Sequence, residues 1–148
     1  MGVDVLKHEN KPSLRMARLF GVLFLAYSIV MPFIILLIPE SDLPVGSGSS
    51  DVISWLMIFL MPVELLLLYF SYRHYSKKSE FDNIMGPAIL MYMFAMIPSI
   101  YAFVIGFIGS SLRSIAIPLG LTISLVGFGL AWMFISNLWD HFTTSEGY

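Results

Sequence analysis

Residues 52–72 have the sequence VISWLMIFLMPVELLLLYFSY. A helix needs about 20 predominantly apolar residues to cross the hydrocarbon core of a bilayer, and this stretch has that length. It contains one formal charge, Glu64, which follows Pro62 by two residues. Because backbone polar groups in lipid must be bonded within their own segment, the stretch predicts a transmembrane helix.

The composition of the whole chain agrees with this prediction. Of its 148 residues, 57% are hydrophobic and 12% are charged, and cysteine is absent. A soluble domain carries about twice that share of charged residues. The chain has too few polar groups to cover its own surface, so we expect its main partner to be the lipid bilayer. The net charge of −2, without a dense basic run, excludes nucleic acid as an expected partner.

Four apolar runs of spanning length occur along the chain, and short polar links join them. Short links favour antiparallel neighbours, so we predict an all-α membrane protein, an up-down-up-down bundle of four transmembrane helices. The single transmembrane domain is 17–138, between an N-terminal arm at 1–16 and a tail at 139–148. The predicted spans are 17–38, 52–72, 84–108 and 115–138.

The placement of Lys and Arg predicts the orientation of the bundle. Seven of the eight basic residues lie on one side of an even-numbered bundle: Lys7, Lys11, Arg15, Arg18, Arg73, Lys77 and Lys78. Basic residues concentrate on the cytoplasmic side, so both termini are predicted to be cytoplasmic in a multi-pass plasma or inner membrane protein. The first apolar run is longer than a signal-peptide core and has no small-residue cleavage site after it, which favours a retained helix.

Each predicted span contains a proline, namely Pro32, Pro62, Pro98 and Pro118. An interior proline removes a helix hydrogen bond and tends to kink the helix. Two interpretations are open. The prolines are the ordinary ones that membrane helices tolerate, or they bend four helices around a central site.

Small residues recur at spacings of three and four in the last two spans. Helices in lipid associate by close packing of such residues, so spans three and four are predicted to form a tightly packed hairpin, whereas the second span has almost no small residues. The predicted packing residues are Ala95, Ser99, Ala102, Gly106, Ala116, Gly120 and Gly127.

Glu64 is the principal candidate for a functional group, because it lies near the middle of its span. An ionised carboxylate there is expected to cost about 2.5–3.5 kcal/mol, so we expect it to be protonated, hydrogen-bonded or both. Tyr27, Tyr92 and Ser124 lie at comparable depth and are candidate partners. Glu64 is then a structural residue inside the bundle, a contact to another subunit, or a proton or cation site in a transport path.

Other chemistry finds little support in the sequence. The three histidines lie outside the spans or at their ends, so neither haem ligation nor a metal site is predicted. No catalytic set and no phosphate-binding loop occur, and we expect no enzyme activity and no cofactor.

These observations leave three functions open. The first is a non-catalytic accessory subunit of a larger integral membrane complex, such as an energy-transducing one. The second is a small oligomeric transporter or channel that uses Glu64 as its proton or cation site. The third is a lipid- or quinone-binding protein whose pocket is lined by Tyr27, Tyr92 and Glu64. The expected protein partners are accordingly other membrane subunits or copies of this chain.

Overall fold

The computed structural model describes residues 14–39, 41, 48–77 and 83–145. Most of the arm predicted at 1–16, and the last three residues of the tail, lie outside the described residues. The described chain forms four α-helices, and all four are long and apolar enough to cross a membrane, which confirms the predicted all-helical, four-span architecture. The helices are α1 (Leu14–Leu37), α2 (Gly48–Ser76), α3 (Met85–Phe107) and α4 (Arg113–Ser145).

Two of the helices continue well beyond their apolar runs. The second helix has 29 residues and the fourth has 33. At about 1.5 Å per residue α4 is about 50 Å long, whereas the hydrocarbon core of a bilayer is about 30 Å thick. The apolar run therefore predicts the part of each helix that suits lipid, and the polar residues at its end extend the same helix toward water.

The helices alternate in direction, and α3 and α4 form the most extensive contact. Successive residues of α1 contact successive residues of α3, so these two helices are parallel. Contacts between α3 and α4 follow the opposite order, so these two helices are antiparallel. Within the part of the chain that the structure describes, α1 and α2 each pack against α3 and α4 but not against each other. Because the link between α1 and α2 is short, the sequence predicted that these two helices would be neighbours. The close approach of α3 and α4 instead puts that pair in the centre, with α1 and α2 beside it.

Glycines make the central contact possible. A Cβ atom on Gly120 would come within 2.6 Å of both the Ala102 side chain and the Pro98 carbonyl oxygen, and one on Gly127 would come within 3.1 Å of the Ala95 Cα atom. Both distances are shorter than ordinary contacts between carbon or oxygen atoms. The seven small residues predicted to pack helices are all buried: Ala95, Ser99, Ala102, Gly106, Ala116, Gly120 and Gly127.

The link between α3 and α4 is fixed by its own turn and by α2. Gly109 has a φ of 66°, a left-handed conformation that suits glycine after a helix end. Asp51, in the first turn of α2, accepts hydrogen bonds from the Ser110 hydroxyl at 2.8 Å and from the Ser111 backbone N–H at 3.1 Å. Asp51 therefore holds the α3–α4 turn against the start of α2.

Arg113 ties the same end of the bundle to α1. Its Nη2 atom donates to the backbone oxygen of Ile35 at 2.6 Å and lies 3.4 Å from that of Ile38. The last carbonyl groups of a helix lack partners inside the helix and carry its negative partial charge. Arg113 donates hydrogen bonds to these carbonyl groups and places a positive charge beside the negative end of α1.

We expect Gly120→Ala to destabilise the protein, because the added methyl group meets the backbone of α3. Overpacking of this kind costs about 1–3 kcal/mol. Gly129→Ala is the matched control, since its new Cβ atom would meet nothing within 4 Å and alanine favours a helix over glycine. Thermal unfolding in detergent should show a lower midpoint for Gly120→Ala only. Equal midpoints for the two variants would contradict this account of the α3–α4 contact.

Candidate functional site

Glu64 lies on the buried stripe of α2. The buried residues of this helix are Ser54, Met61, Glu64 and Leu68, which recur at helical spacing on one face. Glu64 is 6% exposed. The carboxyl group therefore points into the bundle, toward α3, rather than toward lipid.

Tyr101 on α3 is the hydrogen-bond donor to this carboxyl group. Its hydroxyl donates to Glu64 Oε1 at 3.1 Å, and Oε2 is buried without a partner among the described residues. Side chains in a helix lean toward its N-terminus, so residues on antiparallel helices lean toward each other along the bundle axis. Along the bundle axis the Cα atom of Tyr101 lies about one helical turn from that of Glu64. The two side chains lean toward each other, and this brings the hydroxyl within hydrogen-bond distance of the carboxyl group.

Sequence reasoning missed Tyr101 because it compared depths of Cα atoms alone. A search that allowed one helical turn for the lean of a long side chain would have included it. The tyrosines named from the sequence lie elsewhere. Tyr27 is 57% exposed on the outer side of α1, and Tyr92 is fully buried with its ring against Gly21 of α1. The structure does not bring either of them to Glu64.

A second polar cluster joins α1, α3 and α4 through three buried serines. The Ser28 hydroxyl donates to Ser124 Oγ at 3.1 Å, and the Ser124 hydroxyl donates to the Ala95 carbonyl oxygen at 2.5 Å. The Ser99 hydroxyl donates to the Ser28 carbonyl oxygen. Ser124 was a candidate partner of Glu64, but its described hydrogen bonds are with this cluster.

Pro32 explains why the Ser28 carbonyl accepts a side-chain hydrogen bond. In an α-helix that carbonyl would accept from the N–H of residue 32, and proline has no N–H. The carbonyl would then be left without a donor in an apolar interior. Ser99 of α3 supplies the donor, which is one of the ways in which membrane helices tolerate proline. The proline in α1 and the serine in α3 therefore form one structural unit.

The described residues show helix–helix bonds rather than catalytic geometry. Among the described residues, no group of three or more His, Asp or Glu side chains could hold a metal ion. His74 and His141 are exposed and belong to the ends of α2 and α4. The hydrogen bond from Tyr101 to Glu64 brings an acid and a hydroxyl together between α2 and α3.

Comparison with protein families, with curated proteins and with solved structures finds no match to this chain.

We expect Ser99→Ala to destabilise the protein by about 0.6 kcal/mol, the average for hydrogen bonds between membrane helices, and by at most about 1.7 kcal/mol. The loss should shrink in a Pro32→Ala background, because alanine at that position restores the backbone donor for the Ser28 carbonyl. Thr122→Ala is the control, since the Thr122 hydroxyl donates within its own helix to the Pro118 carbonyl oxygen. The measurement is unfolding in detergent. A Ser99→Ala loss that is the same in the wild-type and Pro32→Ala backgrounds would rule out the coupling.

We expect Tyr101→Phe to cost about 1–3 kcal/mol, because it leaves the buried Glu64 carboxyl without its donor. In a Glu64→Leu background the same change should cost little, since no carboxyl then remains to be satisfied. A double-mutant cycle on unfolding free energies measures this difference. If Tyr101→Phe costs the same in both backgrounds, the Tyr101–Glu64 hydrogen bond contributes nothing to stability.

Proposed function

We propose that the protein is a non-catalytic accessory subunit of a larger integral membrane complex. The observation that carries the proposal is how the buried polar side chains are used. Hydrogen bonds of Ser28, Ser99 and Ser124 join three helices. The Glu64 carboxyl group accepts a hydrogen bond from the Tyr101 hydroxyl. None of these groups is arranged as a catalytic set, so the interior supports a structural module.

The uneven burial of the helices supports partners in the membrane. In the most apolar window of α2, 22% of residues are buried within this chain, and the same share holds for α1, against 44% for α3. Large side chains such as Trp55 and Phe59 are exposed on α2. Helices of other subunits would have access to these outer faces of α1 and α2, and an energy-transducing complex is one assembly of this kind.

The orientation belongs to the same proposal. Arg15 and Arg18 at the start of α1, and Arg73 and Lys77 at the end of α2, lie at one end of the bundle. Arg113 lies at the other end. Under the positive-inside rule this distribution favours cytoplasmic termini in a plasma or inner membrane. Lys7, Lys11 and Lys78, which contributed to the prediction, lie outside the described residues.

A second candidate function is a small oligomeric transporter or channel. The observation that favours it is Glu64 Oε2, which is buried and has no partner within the described residues. An intramembrane carboxyl with free acceptor capacity suits a proton or cation site. Against it stands the lack of a second acidic side chain close to Glu64 in the described chain, because Asp51 and Asp140 lie at the two ends of the bundle.

The third candidate, a quinone- or lipid-binding pocket lined by Tyr27, Tyr92 and Glu64, receives less support. Tyr27 faces outward from α1, and the Tyr92 ring fills the α1–α3 contact at Gly21. Since α1 and α2 do not pack together, one small ligand would not readily touch all three side chains.

Purification from the native membrane in mild detergent, followed by intact-mass analysis, tests the leading proposal. We expect other chains in fixed stoichiometry, and we expect Phe59→Ala on α2 to reduce their yield. Phe107→Ala on α3 is the matched control for loss of an exposed aromatic ring, because it lies outside the proposed faces of α1 and α2. Elution of this chain alone, or as copies of itself, would overturn the accessory-subunit proposal. Proton and cation flux in liposomes, with wild type against Glu64→Gln, would then test the second candidate.

A further inference from the structure

The first turns of α1 carry an open groove whose surface is mainly apolar and which has two arginines among its lining residues. Its volume is about 350 Å³, and the described residues that line it are Arg15, Arg18, Leu19 and Val22. Their spacing of three and four places them on one face of the helix. The two arginines lie toward the end of the helix, and the two apolar side chains follow them toward the middle of the span.

Arg18 is held in place by α4. Its Nη2 atom donates to Ser136 Oγ at 3.3 Å, and its guanidinium carbon lies 5.3 Å from the ring centroid of Trp132. The Nε atom is buried and has no acceptor among the described residues. A buried N–H without an acceptor is costly. The contacts with Ser136 and Trp132 therefore fix the position of the Arg18 guanidinium group at this end of the bundle.

The charges at this end of the bundle favour an anion. Arg15 is exposed beside Arg18, and Arg73 and Lys77 lie at the same end. Of the acidic residues that the structure describes, Asp140 alone lies at this end. Arginine binds phosphate through several charge-assisted hydrogen bonds, and the N-terminus of α1 adds its positive partial charge.

The apolar wall distinguishes a lipid from a free anion. Leu19 and Val22 are both exposed, and they continue the groove from the arginines into the part of α1 that suits hydrocarbon. A soluble phosphate would gain nothing from these two side chains. A phospholipid would place its phosphate at the arginines and one acyl chain along the apolar wall.

We propose that the Arg15, Arg18, Leu19 and Val22 face of α1 is a binding site for an anionic phospholipid. The phosphate lies beside the two guanidinium groups, and the exposed Arg15 is its principal hydrogen-bond donor. Trp132 and Ser136 position Arg18 for this contact. The proposal is independent of the accessory-subunit function, because it depends on α1 and α4 alone.

The test is native mass spectrometry of the delipidated full chain in detergent, with phosphatidylglycerol and phosphatidylcholine added in equal amounts. We expect phosphatidylglycerol adducts to dominate. The double variant Arg15→Gln, Arg18→Gln should weaken phosphatidylglycerol binding about thirtyfold, since each basic residue near an anionic lipid surface contributes about fivefold. Arg15→Gln alone should weaken it about fivefold, and this exposed residue makes no described contact that folding requires.

Arg73→Gln is the matched control, because it removes the same charge at the same end of the bundle, outside the groove. Equal binding of the two lipids would overturn the proposal, as would equal losses in Arg15→Gln and Arg73→Gln. Inorganic phosphate, titrated against the bound lipid, separates the two sources of the anion. Displacement at concentrations similar to those of the lipid would show an ion site without a lipid, which would also overturn the proposal.

Discussion

The close approach of α4 to α3 is the contact on which the rest of the structure depends. Gly120 and Gly127 bring the backbone of α4 against Pro98 and Ala95. At that separation the Ser124 hydroxyl reaches the Ala95 carbonyl. Both α1 and α2 then dock on the pair rather than on each other. Lipid tails are as apolar as leucine, so apolar surface alone does not hold helices together in a membrane. Contact between small residues, with a few polar bonds, takes that role here.

Pro32 determines the position of one of these polar bonds. A membrane interior leaves no water to satisfy a carbonyl that proline has deprived of its donor. In α1 the deprived carbonyl belongs to Ser28, and the donor comes from Ser99 on α3. A defect within one helix is thereby corrected by a neighbour, and the correction fixes the relative height of the two helices. Of the two interpretations that the sequence left open, this contact supports ordinary tolerance of proline more than bending around a central cavity.

The sequence was sufficient to predict the four helices, because apolar runs of spanning length leave few alternatives. The spacing of small residues in the last two spans also predicted that these two spans pack closely. It could not predict that α1 and α2 are separated, since the length of a link limits distance without determining which helices touch. The partner of Glu64 was missed for a related reason. Tyr27 and Tyr92 match Glu64 in depth, but helix rotation leaves Tyr27 exposed and buries Tyr92 against α1. Tyr101 lies about one helical turn away in depth, and the direction of its side chain brings its hydroxyl to the carboxyl group.

The two ends of the bundle differ in the way they use charge. At the end near the α3–α4 turn, Asp51 and Arg113 are bonded to serine hydroxyls and to helix carbonyls, so their charges complete the fold. At the opposite end Arg15, Arg73 and Lys77 are exposed, and Arg18 keeps a buried N–H without a described acceptor. The exposed positive charge is therefore concentrated at the end of the bundle that carries the start of α1, and this is the end at which we propose that an anionic phospholipid binds.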